Sequence, residues 1–324
     1  MSGPTLSVIM PNYNYERYIG QALDALISQS YPLLEIIVVD DASTDGSVGV
    51  IEKYAGRYPN VRLLKNEKNL GVIRSQNRAI EMVRGDYFYS AGSDDMVLPG
   101  FLERSMRLLA DNPDAALCCT DIRIAEDGRE RDIRLHLSDR PVYFPPEKAL
   151  KVFGSFGFTP VLSNTAVFKR SDLLEAGGFD PSLLWSADSF VINVMSFRHG
   201  FCYVPEVLTM ARVHKSQYGR SMASQSDKER KLVRKIMDTV MEPEYADVLP
   251  AFRKTAPFSS HPYDTFRAVM SSGKYRGFLS IKLVKFALDD VLRRMMIAVL
   301  PVRVTRAVQG CFNALRRARL AYRK

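Results

Sequence analysis

Residues 6–45 read LSVIMPNYNYERYIGQALDALISQSYPLLEIIVVDDASTD, and their pattern of apolar residues indicates the fold class. The runs 6–10 and 35–39 are short and almost wholly apolar, which is typical of buried strands. Between them, residues 19–27 carry apolar side chains at i, i+4, i+7 and i+8, the spacing of one helix face. The stretch therefore predicts a strand–helix–strand unit.

The same alternation continues through the first third of the chain. Residues 61–64 and 86–90 form further short strand-like runs, each preceded by a segment with helical spacing. Repeated units of this size are typical of a parallel sheet covered by helices on both faces. In such α/β sheets ligands bind beyond the carboxyl ends of the strands, which singles out the loops 11–15, 40–45 and 91–95.

The composition is that of a globular protein, with 46% hydrophobic and 25% charged residues. Four cysteines without CxxC spacing argue against a zinc site or a disulfide framework and favour a reduced compartment. Residues 1–11 lack the basic and apolar pattern of a signal peptide. The net charge is +9, but residues 270–324 hold thirteen Lys or Arg and two Asp, so that segment carries +11 and the remainder −2.

The chain from residue 7 to 47, SVIMPNYNYERYIGQALDALISQSYPLLEIIVVDDASTDGS, resembles the opening of family 2 glycosyltransferases. The resemblance continues through NLGVIRSQNRAIEMVRGDYFYSAGSDD at 69–95 and GGFDPSLLWSADSF at 177–190. It implies the GT-A fold, in which a Rossmann-like mixed α/β sheet is flanked by helices, here with a C-terminal helical extension. It also implies an inverting transferase, of the kind used in bacterial surface polysaccharide biosynthesis.

Two adjacent carboxylates, Asp94 and Asp95, follow a strand and a turn of small residues. Hard oxygen ligands suit Mg²⁺ or Mn²⁺, and the resemblance places such a metal on the donor's diphosphate as a Lewis acid. Many relatives carry an Asp where this chain has Gly92, so the metal would depend on the later pair. The resemblance adds His214 as a further ligand, although a lone histidine can also be structural. The alternative for the acidic pair is a position favoured by a helix dipole.

The loops after the first two strands are expected to bind the nucleotide. By resemblance, Asp40 would accept a hydrogen bond from the N3–H of uracil or thymine, which predicts a UDP- or dTDP-sugar. A buried carboxylate left unpaired by the wrong base would cost roughly 1–3 kcal/mol. The alternative is that Asp40 stabilises a turn through its side chain. Asp41 and Asp45 are expected to be loop and helix-cap residues. The other residues that the resemblance places against the donor are Pro11, Tyr13, Asn14, Arg74, Gly92, Ser93 and Asp94; for Asn14 and Arg74 a structural or solvent-facing role is the alternative.

The resemblance assigns the catalytic base to Asp188. Relatives have a Glu-Asp-like motif after a Gly-Gly-Phe-Asp segment, and here Ala187 replaces the Glu. A base opposite the leaving diphosphate would take the acceptor hydroxyl's proton and give inversion, with help typically worth about 10²–10⁴-fold. The alternative is a helix N-cap, because Asp188 opens a helix predicted over residues 187–197. Trp185 is predicted either to line the acceptor site or to lie in the core.

We predict a catalytic domain over residues 1–218, with a nucleotide-binding half, 1–95, and an acceptor half, 96–218. A linker with helices follows over 219–269, and then a basic amphipathic helical tail over 270–324. The longest uncharged run of the tail has eight residues, short of the roughly 20 needed to span a bilayer. Basic amphipathic helices lie on anionic membranes, so we expect a cytoplasmic protein held peripherally on the inner face of the cytoplasmic membrane.

Taken together, the sequence predicts an inverting glycosyltransferase that acts on a hydroxyl of a glycan or lipid-linked acceptor. Alternatively, the tail packs on protein, including in a homo-oligomer; no motif suggests a nucleic-acid partner. A metal-dependent nucleotidyltransferase would also use an acidic pair, but usually with a basic glycine-rich loop where this chain has PNYN at 11–14. A non-catalytic nucleotide-sugar-binding protein of the same fold would have less reason to keep Asp188.

Overall fold

A computed structural model describes residues 3–214, 226–255 and 262–299 of the chain. The chain divides into two compact units, the first of residues 1–149 and 161–222 and the second of residues 150–160 and 223–324. The first unit covers most of the predicted catalytic domain. The last 25 residues of the predicted tail, 300–324, lie outside the described residues.

In the described part of the chain, the first unit is built on a mixed sheet of ten strands. The strands are β1 (Leu6–Asn12), β2 (Glu35–Asp40), β3 (Val61–Lys65), β4 (Tyr87–Ser90), β5 (Met96–Val97), β6 (Leu117–Glu126), β7 (Arg129–Ile133), β8 (Val142–Phe144), β9 (Ala166–Lys169) and β10 (Phe201–Val213). Their order is β3-β2-β1-β4-β9-β6-β10-β5, with β7 beside β6 and β8 beside β10. Strands β1 to β4 are parallel to one another, and β9 is antiparallel to both β4 and β6.

Helices cover this sheet and make up most of the described second unit. The helices that begin in the first unit are α1 (Glu16–Ile27), α2 (Ser47–Arg57), α3 (Val72–Met82), α4 (Phe101–Asp111), α5 (Pro146–Phe156), α6 (Arg170–Glu175) and α7 (Ala187–His199). Those of the second unit are α8 (Ser226–Val240), α9 (Leu249–Thr255), α10 (Pro262–Met270) and α11 (Ile281–Val299). The predicted helix over 187–197 is confirmed as α7. The mixed sheet flanked by helices and the C-terminal helical segments confirm the predicted fold class.

The central strands are buried on both faces, as their apolar runs predict. All six residues of β2 are buried, and six of the seven residues of β1 are buried. A strand can bury both faces only where helices cover both sides of the sheet. Helix α1 supplies part of that cover through Ile19, Leu23 and Leu26.

The buried carboxylate of Glu35 connects the amino ends of these strands through hydrogen bonds and ion pairs. Glu35 accepts hydrogen bonds from Ser7 Oγ at 3.0 Å and from Arg84 N at 2.9 Å. It also pairs with Arg62 and Arg84, both at 3.2 Å. Burial alone would raise the pKa of Glu35, but these hydrogen bonds and the Arg84 charge outweigh it and hold the pKa below its usual range. Because β1 and β2 are fixed at this end, their carboxyl ends are held in register at the other.

The second unit is held together by its own contacts. Lys282 Nζ donates to the Gly154 carbonyl at 3.4 Å, and Tyr275 OH donates to Asp238 Oδ1 at 3.0 Å. Gly157 has a φ of +73° and faces Phe286 so closely that a Cβ atom would overlap the ring. Within the residues that the structure describes, no helix combines the length and the apolar content needed to span a bilayer.

Candidate active site

The loops after β1, β2 and β4 meet at one edge of the sheet, as predicted. Asn12 at the end of β1 is paired in register with Asp40 at the end of β2. Ser93, in the loop after β4, donates through Oγ to the Pro11 carbonyl at 2.5 Å. This edge therefore gathers the predicted nucleotide-binding and metal-binding residues.

The Asp40 carboxylate is buried and already makes three hydrogen bonds. Its Oδ1 accepts from Asn12 Nδ2 at 2.8 Å and from Ser43 Oγ at 2.6 Å, and its Oδ2 accepts from Ser43 N at 3.0 Å. The bonds from Ser43 are those of the turn that we gave as the alternative. A carboxylate offers about four acceptor positions, so one remains for a base. Contact between Asp40 and the base stays a prediction.

Asp41 and Asp45 hold neighbouring loops in place, as expected. Asp41 accepts from Leu70 N and Gly71 N, each at 2.8 Å, and so fixes the entry to α3. Gly71 has a φ of +88°, a conformation that suits glycine at this turn. Asp45 Oδ1 accepts from Ser47 N at 2.9 Å, at the start of α2.

The other residues predicted to contact the sugar donor differ in how exposed their side chains are. Tyr13 is exposed, and the Arg74 side chain is exposed in the first turn of α3. Asn14 has a φ of +58° and accepts from Thr44 N at 2.7 Å through Oδ1, so it braces the loop after β2. The structure thus shows a structural role for Asn14, and the contact of these residues with the donor stays a prediction.

Asp94 and Asp95 are both buried, but they have different partners. Asp94 Oδ2 lies 2.8 Å from His214 Nε2. Asp95 instead accepts from Arg212 N at 3.1 Å and from Asn164 Nδ2 at 2.8 Å. Burial and the Asp94 charge raise the pKa of Asp95, against the hydrogen bonds that it accepts. Burial and the two carboxylates also raise the pKa of Tyr15, which donates to Asp94.

An aromatic and cationic cluster fixes His214 beside Asp94. The His214 ring stacks on Tyr18 with centroids 5.4 Å apart and meets the Tyr15 ring edge-on at 5.6 Å. Arg212 lies over the same Tyr18 ring at 5.3 Å and donates to Gln21 Oε1 at 2.6 Å. Tyr18 and Gln21 lie on α1, so these contacts join the end of β10 to α1. Tyr18 and Gln21 were not predicted as site residues, because their sequence pattern shows only that they belong to a helix.

The side chains around Asp94 offer ligand atoms that fit a divalent cation, provided that the cation takes its other ligands from a substrate. No group of three or more His, Cys, Asp or Glu side chains within the described ranges is placed to hold a metal. Asp94 and His214 nevertheless bring one carboxylate and one imidazole together, and Asp95 concentrates further negative charge behind them. Mg²⁺ is commonly bound through one or two carboxylates plus substrate phosphates.

Asp188 lies in the first turn of α7, but it does not cap the helix. The N-cap residue is Ser186, so the cap alternative is wrong. Asp188 Oδ2 accepts from Ser163 Oγ at 2.9 Å, and Oδ1 accepts from Ser189 N at 2.6 Å. Burial raises the pKa of Asp188, although these hydrogen bonds oppose the shift. Trp185 is half-buried three residues earlier.

A short helical turn connects the two groups of carboxylates. Ser163 and Asn164 are neighbours in a 3₁₀ turn, Ser163–Thr165. Ser163 donates to Asp188, and Asn164 donates to Asp95. Asp188 and Asp95 are therefore held by adjacent residues of one turn. This turn could not be predicted from the sequence, because its residues follow no periodic pattern.

The chain matches known proteins in both sequence and structure. The model of the family described as Glycosyl transferase family 2 matches residues 7–175. The uncharacterized glycosyltransferase YibD of Escherichia coli K12 is 40% identical over 124 residues, which is 38% of this chain and 36% of YibD. The chain thus aligns with about a third of that relative.

Two solved structures share the fold. S. aureus TarS 1–349, solved with UDP-GlcNAc, matches with a TM-score of 0.64 at 18% sequence identity. The match covers 93% of this chain and 82% of the TarS chain. The mannosyltransferase PcManGT from Pyrobaculum calidifontis, solved with GDP-Man and Mn²⁺, matches with a TM-score of 0.59 at 19% sequence identity. The match covers 100% of this chain and 89% of the PcManGT chain. At such identity the likeness shows the fold alone. The family match spans more than half of the residues, and the chain therefore belongs to glycosyl transferase family 2.

Proposed function

We propose that this protein is an inverting glycosyltransferase that moves a sugar from a UDP- or dTDP-sugar to a hydroxyl of a glycan or lipid-linked acceptor. Family membership supports a sugar transferase. The observation that carries the proposal is the turn Ser163–Thr165, whose adjacent residues bond to Asp188 and Asp95. Direct displacement needs a base for the acceptor hydroxyl and a stabilised leaving group, and this turn links the proposed base to the acidic pair proposed to lie at the diphosphate.

The donor is proposed to lie at the carboxyl edge of the sheet, with its base near Asp40. The relatives of this fold solved with UDP-GlcNAc and GDP-Man support a nucleotide sugar. The one acceptor position left on Asp40 suits the N3–H of uracil or thymine and rejects cytosine, which has no proton there. Pro11, Tyr13 and Arg74 are proposed to pack around the nucleotide.

A Mg²⁺ or Mn²⁺ ion is proposed to be held by Asp94 and His214, with Asp95 adding charge behind them. Bound there, the ion would neutralise negative charge on the leaving diphosphate. Tyr15 donates to Asp94, and Arg212 donates to the Asp94 carbonyl at 2.8 Å, so the loop is held in one conformation. Gly92 and Ser93 form the turn that delivers Asp94 to this position.

Asp188 is proposed to act as the general base. Its ionised carboxylate takes the proton of the acceptor hydroxyl while that oxygen attacks the anomeric carbon. The bond to the diphosphate breaks on the opposite face, so the configuration inverts. Ser163 and the Ser189 N–H orient the carboxylate and stabilise its charge. The raised pKa makes Asp188 a stronger base than an exposed aspartate.

The acceptor is proposed to be a growing surface polysaccharide, with the enzyme peripheral on the inner face of the cytoplasmic membrane. The charge of residues 270–324, +11, supports attraction to anionic lipids. A sugar acceptor that is itself linked to lipid would be presented at the same surface.

The donor site is tested by thermal denaturation with a panel of nucleotide sugars, with and without MnCl₂. We expect a UDP- or dTDP-sugar to raise Tm only when the metal is present, because a ligand that binds the native state stabilises it. Asp94→Asn should abolish this metal-dependent rise, whereas the exposed Asp114→Asn should keep it. A rise of equal size without metal, or with Asp94→Asn, would rule out Asp94 as a metal ligand.

A further inference from the structure

Among the side chains of helix α11 that the structure describes, apolar residues lie on two faces, and one of these faces is packed. Leu283 and Ala287 are buried within the second unit. The outward face carries five apolar residues that are between 36% and 90% exposed. We name this set the outer stripe; its members are Ile281, Val284, Leu288, Leu292 and Met295.

The members of the outer stripe follow one another at spacings of three, four, four and three residues. This spacing places them on a single face of the helix. The stripe spans fifteen residues from Ile281 to Met295, and the fourteen steps between them give a length of about 21 Å at 1.5 Å per residue. Single exposed apolar side chains are ordinary on a protein surface, but a continuous row marks an interaction surface.

The charge around the stripe indicates what covers it. Lys282 and Lys285 are exposed next to it, and residues 270–324 carry +11 while the rest of the chain sums to −2. A second copy of the chain would bring two such segments together, which Coulomb repulsion opposes. An anionic lipid surface would instead attract each basic residue that lies near it.

We propose that the outer stripe docks on an anionic lipid surface, with α11 lying in the plane of the headgroups. Apolar side chains would enter the boundary of the acyl chains, and the flanking lysines would meet the phosphates, as in other interfacial helices. The proposal names the surface that makes the membrane contact proposed above, and it does not depend on the transfer chemistry.

The test uses the full chain in vesicle sedimentation. We expect binding to vesicles that contain phosphatidylglycerol, weaker binding to vesicles of phosphatidylcholine alone, and loss of the difference at high salt. Leu288→Ser and Leu292→Ser should each weaken partitioning into the anionic vesicles by about tenfold, because each removes one apolar side chain from the lipid boundary. The matched control is Leu174→Ser on α6, since Leu174 is as exposed as these leucines but lies in the other unit.

Three results would overturn this proposal. The first is that the wild type does not bind anionic vesicles, and the second is that both stripe variants bind as well as Leu174→Ser. The third is a wild-type dimer, seen by light scattering, that the stripe variants dissociate, because the occupant would then be a second copy. Circular dichroism and thermal denaturation check that the variants are folded. The vesicle experiment does not measure glycosyl transfer. The docking proposal and the proposed transfer activity can therefore fail separately.

Discussion

Ser163 and Asn164 control the acids of the site through single hydrogen bonds. Ser163 Oγ lies 2.9 Å from Asp188 Oδ2, and Asn164 Nδ2 lies 2.8 Å from Asp95 Oδ2. A hydrogen bond donated to a carboxylate favours its ionised form. This matters most for Asp188, because burial works in the opposite direction and raises its pKa. The charge of the proposed base therefore depends on a balance that one serine can shift.

The first prediction concerns the pH dependence of transfer. Activity should fall as the pH drops through the raised pKa of Asp188, because a protonated carboxyl cannot accept the hydroxyl proton. Ser163→Ala removes a bond to the ionised form, so the pKa should rise further. Charge-assisted bonds contribute about 1.5–3 kcal/mol, so the acid limb of the kcat/KM profile should move up by about 1–2 pH units.

Ser182→Ala is the control for this shift. Ser182 bonds to Asp180 at 2.7 Å through its hydroxyl and serves the loop before α7 rather than the base. Its profile should match that of the wild type. An acid limb that stays in place in Ser163→Ala, or that moves to lower pH, would contradict the assignment of Asp188 as the ionising base.

The sequence was sufficient to find the acids but not the residues that hold them. Asp94 and Asp95 follow a recognisable strand and a short turn, and sheet topology fixes where such residues lie. Asn164 is 69 residues away from Asp95 in the chain, and its contact depends on packing that no local pattern encodes. The contacts of Tyr18 and Gln21 likewise depend on packing, since the sequence indicates only that these residues belong to a helix.

Strands β1 and β2 position the site from a distance through Glu35. This buried carboxylate binds Ser7 on β1, Arg84 before β4 and Arg62 on β3. Its pKa is held below the usual range, so the folded state favours its ionised form. The stabilisation is present above the pKa of Glu in the unfolded chain, about 4.3, and is lost as the pH falls through the lower folded pKa.

The second prediction is that Glu35→Gln lowers the free energy of unfolding at pH 7 by about 1–3 kcal/mol. The amide keeps the shape of the side chain but loses the charge that the two arginines face. Urea denaturation at pH 7 and in acid measures this effect, and the difference from wild type should shrink as the pH falls.

The comparison variant is Glu52→Gln, in which a surface ion pair with Lys65 is lost. That pair is 2.6 Å long but about half-exposed on both sides, so its removal should cost about 0–1 kcal/mol. Equal losses for the two variants, or a Glu35→Gln deficit that grows in acid, would show that the buried network does not stabilise the sheet.

The strands and helices that could be predicted are those with a clear local pattern of apolar residues in the sequence. The apolar runs of β1 and β2 and the periodicity of α1 and α7 gave these elements correctly. Strand β5 has only two residues and is defined by pairing with β10, and β9 lies between β4 and β6 by a long-range crossover. Such pairings are fixed by tertiary contacts, which one sequence does not display.

At the scale of the whole molecule, charge and apolar surface are unevenly distributed. The chain carries +9, yet the excess lies entirely in residues 270–324. The sequence alone predicts this asymmetry, since it depends only on counting residues. The exposed row on α11 required the structure, because helical spacing does not tell which of two apolar faces is packed.

The central claim is that the acids at 94, 95 and 188 serve one reaction, with Asp188 as the base. The most direct test is the initial rate of nucleoside diphosphate release by Asp188→Asn with donor, metal and acceptor present. We expect a loss of about 10²–10⁴-fold in this rate, while donor affinity, measured by calorimetry, stays unchanged. A rate close to that of the wild type would contradict the central claim.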